Sequence, residues 1–128
     1  MLSQFLSVKS TKAKGRGVFT SEPIKAGTTV EESPVIVMTQ ADRVHLDKTL
    51  LHDYIFEWGP QQEECCMALG LVPIYNHNYE SNCDYFMDFA EHTITIQTVK
   101  NIAAGEELTI NYNGDCKDDS KIWFDVID

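Results

Sequence analysis

The chain has 128 residues, 43% of them hydrophobic, and sets 10 basic side chains against 20 acidic ones for a formal charge of −10. This length and apolar content suit one domain with a real core and exclude wholesale disorder. So negative a surface repels nucleic-acid phosphates and anionic membranes and draws in basic partners; no direct nucleic-acid binding and no membrane association are expected.

The amino-terminal run Met1-Leu2-Ser3-Gln4-Phe5 has neither a basic start nor a long apolar stretch, so no signal peptide is expected. No segment approaches the roughly 20 apolar residues that span a bilayer. Short β-like segments follow: Phe5-Leu6-Ser7-Val8, Gly17-Val18-Phe19-Thr20, Thr29-Val30-Glu31-Glu32 and Val35-Ile36-Val37-Met38, punctuated by Gly27 and Pro34. From Gln40 to Leu51 the apolar residues Val44, Leu46, Leu50 and Leu51 fit helical spacing, which predicts a short helix. Beyond Gly59-Pro60 the pattern predicts a strand around Cys65–Leu69, a turn through Pro73 and an irregular polar loop from Asn76 to Asn82. Two further strands are predicted at Thr93–Thr98, where apolar and polar residues alternate, and at Glu107–Ile110 after the turn at Gly105.

Four cysteines, Cys65, Cys66, Cys83 and Cys116, form no Cys-x-x-Cys pair. They read as free buried thiols, which implies a reducing, cytoplasmic setting and no metal site. His45, His52 and His92 are scattered and read as surface or capping residues.

An internal echo runs through the chain. Ile24-Lys25-Ala26-Gly27-Thr28-Thr29-Val30 matches Ile102-Ala103-Ala104-Gly105-Glu106-Glu107-Leu108 at a constant shift of 78 positions, and Val18 and Thr20 find Ile96 and Thr98 at the same shift. Each unit reads as a strand, a glycine turn and a second strand, and the repetition predicts a folded-over β architecture. It carries no chemistry of its own.

Three segments carry more when taken together. Lys14-Gly15-Arg16-Gly17-Val18-Phe19 has glycines that let backbone approach a ligand. Ile74-Tyr75-Asn76-His77-Asn78-Tyr79-Glu80-Ser81-Asn82 is dense in donors and acceptors, and Ala104-Gly105-Glu106-Glu107-Leu108-Thr109-Ile110-Asn111-Tyr112 is a turn and strand closing on tyrosine. Singly they also fit an ordinary turn, a polar surface loop and an edge strand. As an ordered set, Gly-x-Gly, then Asn-His with a later Asn, then Gly-Glu-Glu-Leu to Tyr, the chain resembles the SET-domain protein lysine methyltransferases. It is most similar to the minimal SET proteins of large algal viruses and bacteria, with Glu31-Glu32, Asp53-Tyr54-Ile55-Phe56 and Met67-Ala68-Leu69-Gly70 adding to the likeness.

The resemblance implies a mainly β, SET-domain β-clip fold of several small sheets, with one or two short helices and a pseudo-knotted C-terminal segment. It implies a single SET domain over 1–128, with an insert at about 39–64 and a short tail at 113–128. It implies S-adenosylmethionine as cofactor, leaving as S-adenosylhomocysteine. The backbone around Gly15, Arg16 and Gly17 would hold its methionine end, with Asn76 and His77 binding the rest. Tyr112 would sit between the cofactor pocket and the lysine channel, and Tyr54 would line that channel. The expected activity is methyl transfer to the ε-amine of a lysine in a basic protein such as a histone tail, with a homodimer implied by analogy. A bacterial or viral origin is implied, with the host nucleus as another setting.

The departures concern the Asn-His loop and the tail. Many relatives read Asn-His-Ser-Cys-x-Pro-Asn, whereas Asn78, Tyr79 and Ser81 stand here, and only Cys116 follows Tyr112. A zinc-organised tail is therefore not expected, and Trp123 and Phe124 become candidates for closing the pocket, Trp123 either against cofactor or packed on the domain. The acidic run Asp115–Asp119 fits a solvated loop or a landing place for a basic tail. Two other readings stand beside the enzyme: an inactive SET-like module that binds lysine-containing peptides, and a β-rich structural domain without cofactor.

Overall fold

The computed structural model describes residues 1–112, so Cys116, the acidic run, Trp123 and Phe124 lie outside the described residues. Nine strands run β1 Leu6–Ser10, β2 Arg16–Thr20, β3 Thr29–Met38, β4 Phe56–Trp58, β5 Glu64–Ala68, β6 Asn76–His77, β7 Cys83–Asp88, β8 Thr93–Thr98 and β9 Glu107–Ile110. A helix α1, Gln40–Leu46, and two 3-10 turns, Leu50–Asp53 and Val72–Ile74, complete them. The strands form a four-stranded sheet in the order β1-β2-β9-β6 and a five-stranded sheet in the order β4-β5-β3-β8-β7. The mainly β reading with several sheets and short helices holds.

The core lies between these sheets, where Val18, Val30, Val72, Tyr75, Ile94, Ile96, Leu108 and Ile110 are all fully buried. Alternation explains β8, whose Ile94, Ile96 and Thr98 point inward and whose Thr93, Thr95 and Gln97 do not. Cys65, Cys66 and Cys83 are buried free thiols, as expected. Among the described residues no helix is long and apolar enough to cross a membrane.

Three local expectations need correction. Pro34 does not interrupt a strand: β3 is one ten-residue strand through it. The strand changes partner there, pairing with β8 up to Pro34 and with β5 from Val35, so the missing N–H costs no ladder bond. The helix expected over Gln40–Leu51 is split into α1 and a 3-10 turn, with Thr39 capping the first through a capping box and Thr49 capping the second. The polar loop 76–82 opens with β6, and β4 and β7 were not expected.

The echo proves to be a physical pairing. Ile24 and Ile102 bond to each other reciprocally, N to O at 2.9 Å and 2.8 Å. The Gly27 N–H donates to the Thr98 carbonyl and the Gly105 N–H to the Thr20 carbonyl, each at 2.7 Å. Every partner lies 78 positions from its counterpart, so the two halves face each other across a local two-fold. Gly27 and Gly105 both adopt a φ of 84°.

Two measurements test this account. A Cβ at Gly27 or at Gly105 would meet nothing within 4 Å, so only the left-handed backbone opposes a side chain there. Gly27→Ala and Gly105→Ala are each expected to cost about 1–2 kcal/mol in urea denaturation, and equally; a clear inequality would contradict the two-fold. Burial pushes the thiols of Cys66 and Cys83 from 9.0 up to about 12. The folded chain thus holds protons that the unfolded chain has released, so stability is retained below pH 9 and lost as pH rises towards 12. Urea midpoints measured across that range are expected to fall; a flat or rising profile would refute the burial account.

Candidate active site

The site forms where β2, β6 and β9 converge. Gly15 has a φ of 72°, a left-handed conformation that closes the turn into β2, and its carbonyl accepts from the Thr11 N–H at 2.6 Å. Gly17 answers a different need: a Cβ there would strike the Glu107 carboxylate and come within 2.9 Å of the Asn76 amide nitrogen. Glycine is therefore required because two side chains from other strands already fill that space. Arg16, between the glycines, is exposed.

β6 is only two residues long and runs parallel to β9, with Asn76 opposite Thr109 and His77 opposite Ile110. The C-terminal segment expected to form the pseudo-knot lies outside the described residues. The Asn76 amide nitrogen donates to the Arg16 carbonyl at 3.0 Å and to the Glu107 carboxylate at 2.8 Å, tying all three strands together. His77 is buried at 3% exposure, and its Nδ1 accepts the Tyr112 N–H at 3.0 Å. Its backbone carbonyl accepts from the Lys14 ammonium at 3.3 Å. Tyr79 stands edge-on to the imidazole with ring centres 4.5 Å apart. The Asn76 side chain thus braces three strands and the His77 ring lies buried beneath Tyr112, an arrangement that leaves the cofactor-binding role expected of this pair to the proposal below.

Tyr112 is fixed at three points. Beyond the bond to His77, its hydroxyl donates to the Tyr75 carbonyl at 2.9 Å and its carbonyl accepts from the Tyr85 hydroxyl at 3.2 Å. Burial raises its pKa above the ordinary tyrosine value, and the neighbouring Tyr54, Tyr85, Asp53 and Glu107 add to the rise in that order. The phenol is thus neutral across the physiological range.

Tyr54 ends the 3-10 turn Leu50–Asp53, its N–H bonding the Leu51 carbonyl at 2.9 Å, and from there it acts electrostatically on Tyr112. Phe56 completes an aromatic wall, edge-on to Tyr85 at 5.4 Å and to Tyr112 at 6.4 Å. The structure therefore gathers Gly17, Asn76, His77, Tyr112 and Tyr54 into one region, with Gly15 in the turn before β2. Trp123 lies outside the described residues. Among the described residues no group of three or more His, Cys, Asp or Glu side chains could hold a metal ion.

Sequence reasoning missed Tyr75, Tyr85 and Phe56 as members of the site. Tyr85 sits on β7, whose inward residues Cys83, Tyr85 and Met87 alternate with Asp84, Phe86 and Asp88. The exposed Phe86 breaks the apolar–polar rhythm that could have revealed it.

Comparison with known proteins shows the family. The SET domain family model matches residues 15–113. The chain is 35% identical over 121 residues to a Schizosaccharomyces pombe histone-lysine N-methyltransferase specific for H3 lysine-37, covering 94% of this chain and 77% of the relative. A crystal structure of a Plasmodium falciparum protein, named as a candidate histone methyltransferase, shares the fold with a TM-score of 0.63 at 20% identity, over 87% of this chain and 95% of that one. A polycomb repressive complex 2 structure, autoinhibited and bound to S-adenosylmethionine, aligns with a TM-score of 0.72 at 23% identity, over 86% of this chain but 15% of its own. With a family model matching residues 15–113 and 35% identity to a histone-lysine N-methyltransferase over 94% of its length, the chain belongs to the SET-domain protein lysine methyltransferases.

Proposed function

We propose that this chain transfers a methyl group from S-adenosylmethionine to the ε-amine of a lysine in a basic protein, with a histone tail as the leading candidate. One observation carries the reading. Segments 60 and 35 residues apart in the chain meet around Asn76, His77 and Tyr112 through the bonds to Arg16 and between His77 and Tyr112.

The residues present fit such a cofactor. The Lys14 ammonium lies against the His77 carbonyl at 3.3 Å, which places a cation that suits a carboxylate beside the Asn76–His77 strand. The carboxylates of Asp53 and Glu107 lie near enough to Tyr112 to raise its pKa, and they make the region favourable to cations. When bound, the cofactor supplies an electrophilic methyl group on a positively charged sulfur. Gly15, Arg16, Gly17, Asn76 and His77 would hold it, the side chain of Asn76 acting by bracing the strands. Tyr54 and Phe56 would wall the acceptor channel, and Trp123 remains a candidate for closing it.

The acceptor must be a neutral amine. A lysine in water has a pKa of ~10.4, so removing its proton at pH 7 costs roughly 4–5 kcal/mol. An apolar aromatic channel lowers that cost by disfavouring the ammonium. Tyr112 does not remove the proton, because its own pKa is raised and its hydroxyl is spent on the Tyr75 carbonyl. The proton leaves to water, and Tyr112 orients the amine so that its lone pair faces the methyl carbon. Alignment of this kind supplies a large share of the rate. The acidic surface fits a basic substrate.

Incubation with labelled S-adenosylmethionine and a panel of basic proteins is expected to label lysine. Tyr112→Phe is expected to lower kcat by about a hundredfold while cofactor affinity changes little. Cofactor binding without labelling of any substrate would replace this reading with an inactive peptide-binding module. The absence of any calorimetric heat with the cofactor would overturn it altogether.

A further inference from the structure

Glu31 is 0% exposed, and the chemistry above makes no use of it. A β-bulge between Thr29 and Glu31 on β3 turns both Val30 and Glu31 inward, which delivers a carboxylate to the core. Three donors converge on it: the Ser33 hydroxyl at 2.6 Å, the Leu71 N–H at 2.8 Å and the Tyr75 hydroxyl at 2.9 Å. Gly70 makes room for this cluster. A Cβ at its left-handed φ of 64° would run into the Glu31 carboxylate and the Ser33 hydroxyl.

Burying a carboxylate is costly, and an apolar side chain would serve packing alone better. What the carboxylate does is hold both ends of one segment. Leu71 precedes the 3-10 turn Val72–Ile74 and Tyr75 follows it, and Glu31 grips the backbone of the first and the phenol of the second. The same Tyr75 presents its backbone carbonyl to the Tyr112 hydroxyl. The next residues, Asn76 and His77, clamp β2 and receive the Tyr112 N–H. A rotation of Tyr75 about its own backbone would therefore move the acceptor that aims Tyr112.

We propose that Glu31 is a positioning residue for methyl transfer: through the Tyr75 hydroxyl it fixes the carbonyl that orients the Tyr112 phenol. This rests on the function proposed above, but its structural half can be measured without turnover. Glu31→Gln keeps the shape of the side chain and offers one oxygen to three donors; Tyr75→Phe removes the hydroxyl and keeps the carbonyl. Both are expected to stay folded by circular dichroism. Each is expected to lower kcat about tenfold with both KM values changed by less than about twofold, and the double variant is expected to be no worse than the worse single one. In protein labelled with 13C at the tyrosine ring, the Tyr112 phenolic carbon resonance is expected to move in both variants.

An unchanged kcat in folded variants, losses that multiply in the double variant, or a stationary Tyr112 resonance would overturn the proposal. If wild-type protein labels no substrate, the function reading fails, and the Tyr112 resonance still decides the positioning link. Should Glu31→Gln not fold, Tyr75→Phe alone decides, because it leaves the carboxylate with its Ser33 and Leu71 donors.

Discussion

The Asn76 amide nitrogen donates within the protein to two strands at once, reaching the Arg16 carbonyl on β2 at 3.0 Å and the Glu107 carboxylate on β9 at 2.8 Å. β6 has only two residues paired with β9, too few for backbone bonds alone to hold a parallel strand in register. The amide supplies what the short ladder lacks. Each such bond contributes about 1 kcal/mol net, and at a partly exposed amide the two together fix the geometry of the strands more than they add stability. The close fit at Gly17 follows directly, since any side chain there would displace the carboxylate and the amide together.

Asn82 repeats the device at the far end of the same loop. Its side chain donates to the Glu107 carbonyl at 2.8 Å and accepts from the Thr109 N–H at 2.8 Å, the pair of bonds that a neighbouring peptide would make with β9. The loop between the two asparagines is thereby pinned to one strand at both ends. This accounts physically for an Asn-His followed by a later Asn: each amide can both donate and accept, and aspartate could only accept. The residues most suggestive of ligand binding in the sequence are thus partly structural, and what they build is the floor on which Tyr112 rests.

Much of the fold could be read from pattern. The echo at 78 positions corresponds to reciprocal bonds between the two halves, because turn glycines and the first apolar residue after them leave a mark that survives in one sequence. What could not be read has specific causes. A bulge defeats period-two reasoning at Val30 and Glu31, so two adjacent carboxylates look alike although Glu31 is buried and Glu32 exposed. Pro34 looked like a break because its tolerance depends on a change of strand partner, which is a tertiary fact. β7 was hidden by the exposed Phe86 in an otherwise alternating strand. At the candidate site, Gly17, Asn76, His77, Tyr54 and Tyr112 stood out as residue types, whereas Tyr75 and Tyr85 contribute a backbone carbonyl and a hydroxyl that no motif records.

The polar atoms of Tyr112 decide what it can do. Its N–H goes to His77, its carbonyl receives the Tyr85 hydroxyl, and its hydroxyl hydrogen goes to the Tyr75 carbonyl. With that hydrogen committed inward, the phenol oxygen can serve any further partner only as an acceptor. An acceptor at this place suits an amine that still carries hydrogens: it can take one N–H and leave the lone pair turned away. It would be poor at stabilising an anion, and a buried neutral phenol is a poor base. Reactions that develop negative charge or need a strong base therefore fit this site badly. A displacement in which a neutral amine meets a cationic donor fits it well, because charge is already present on the donor and needs to be aligned rather than created.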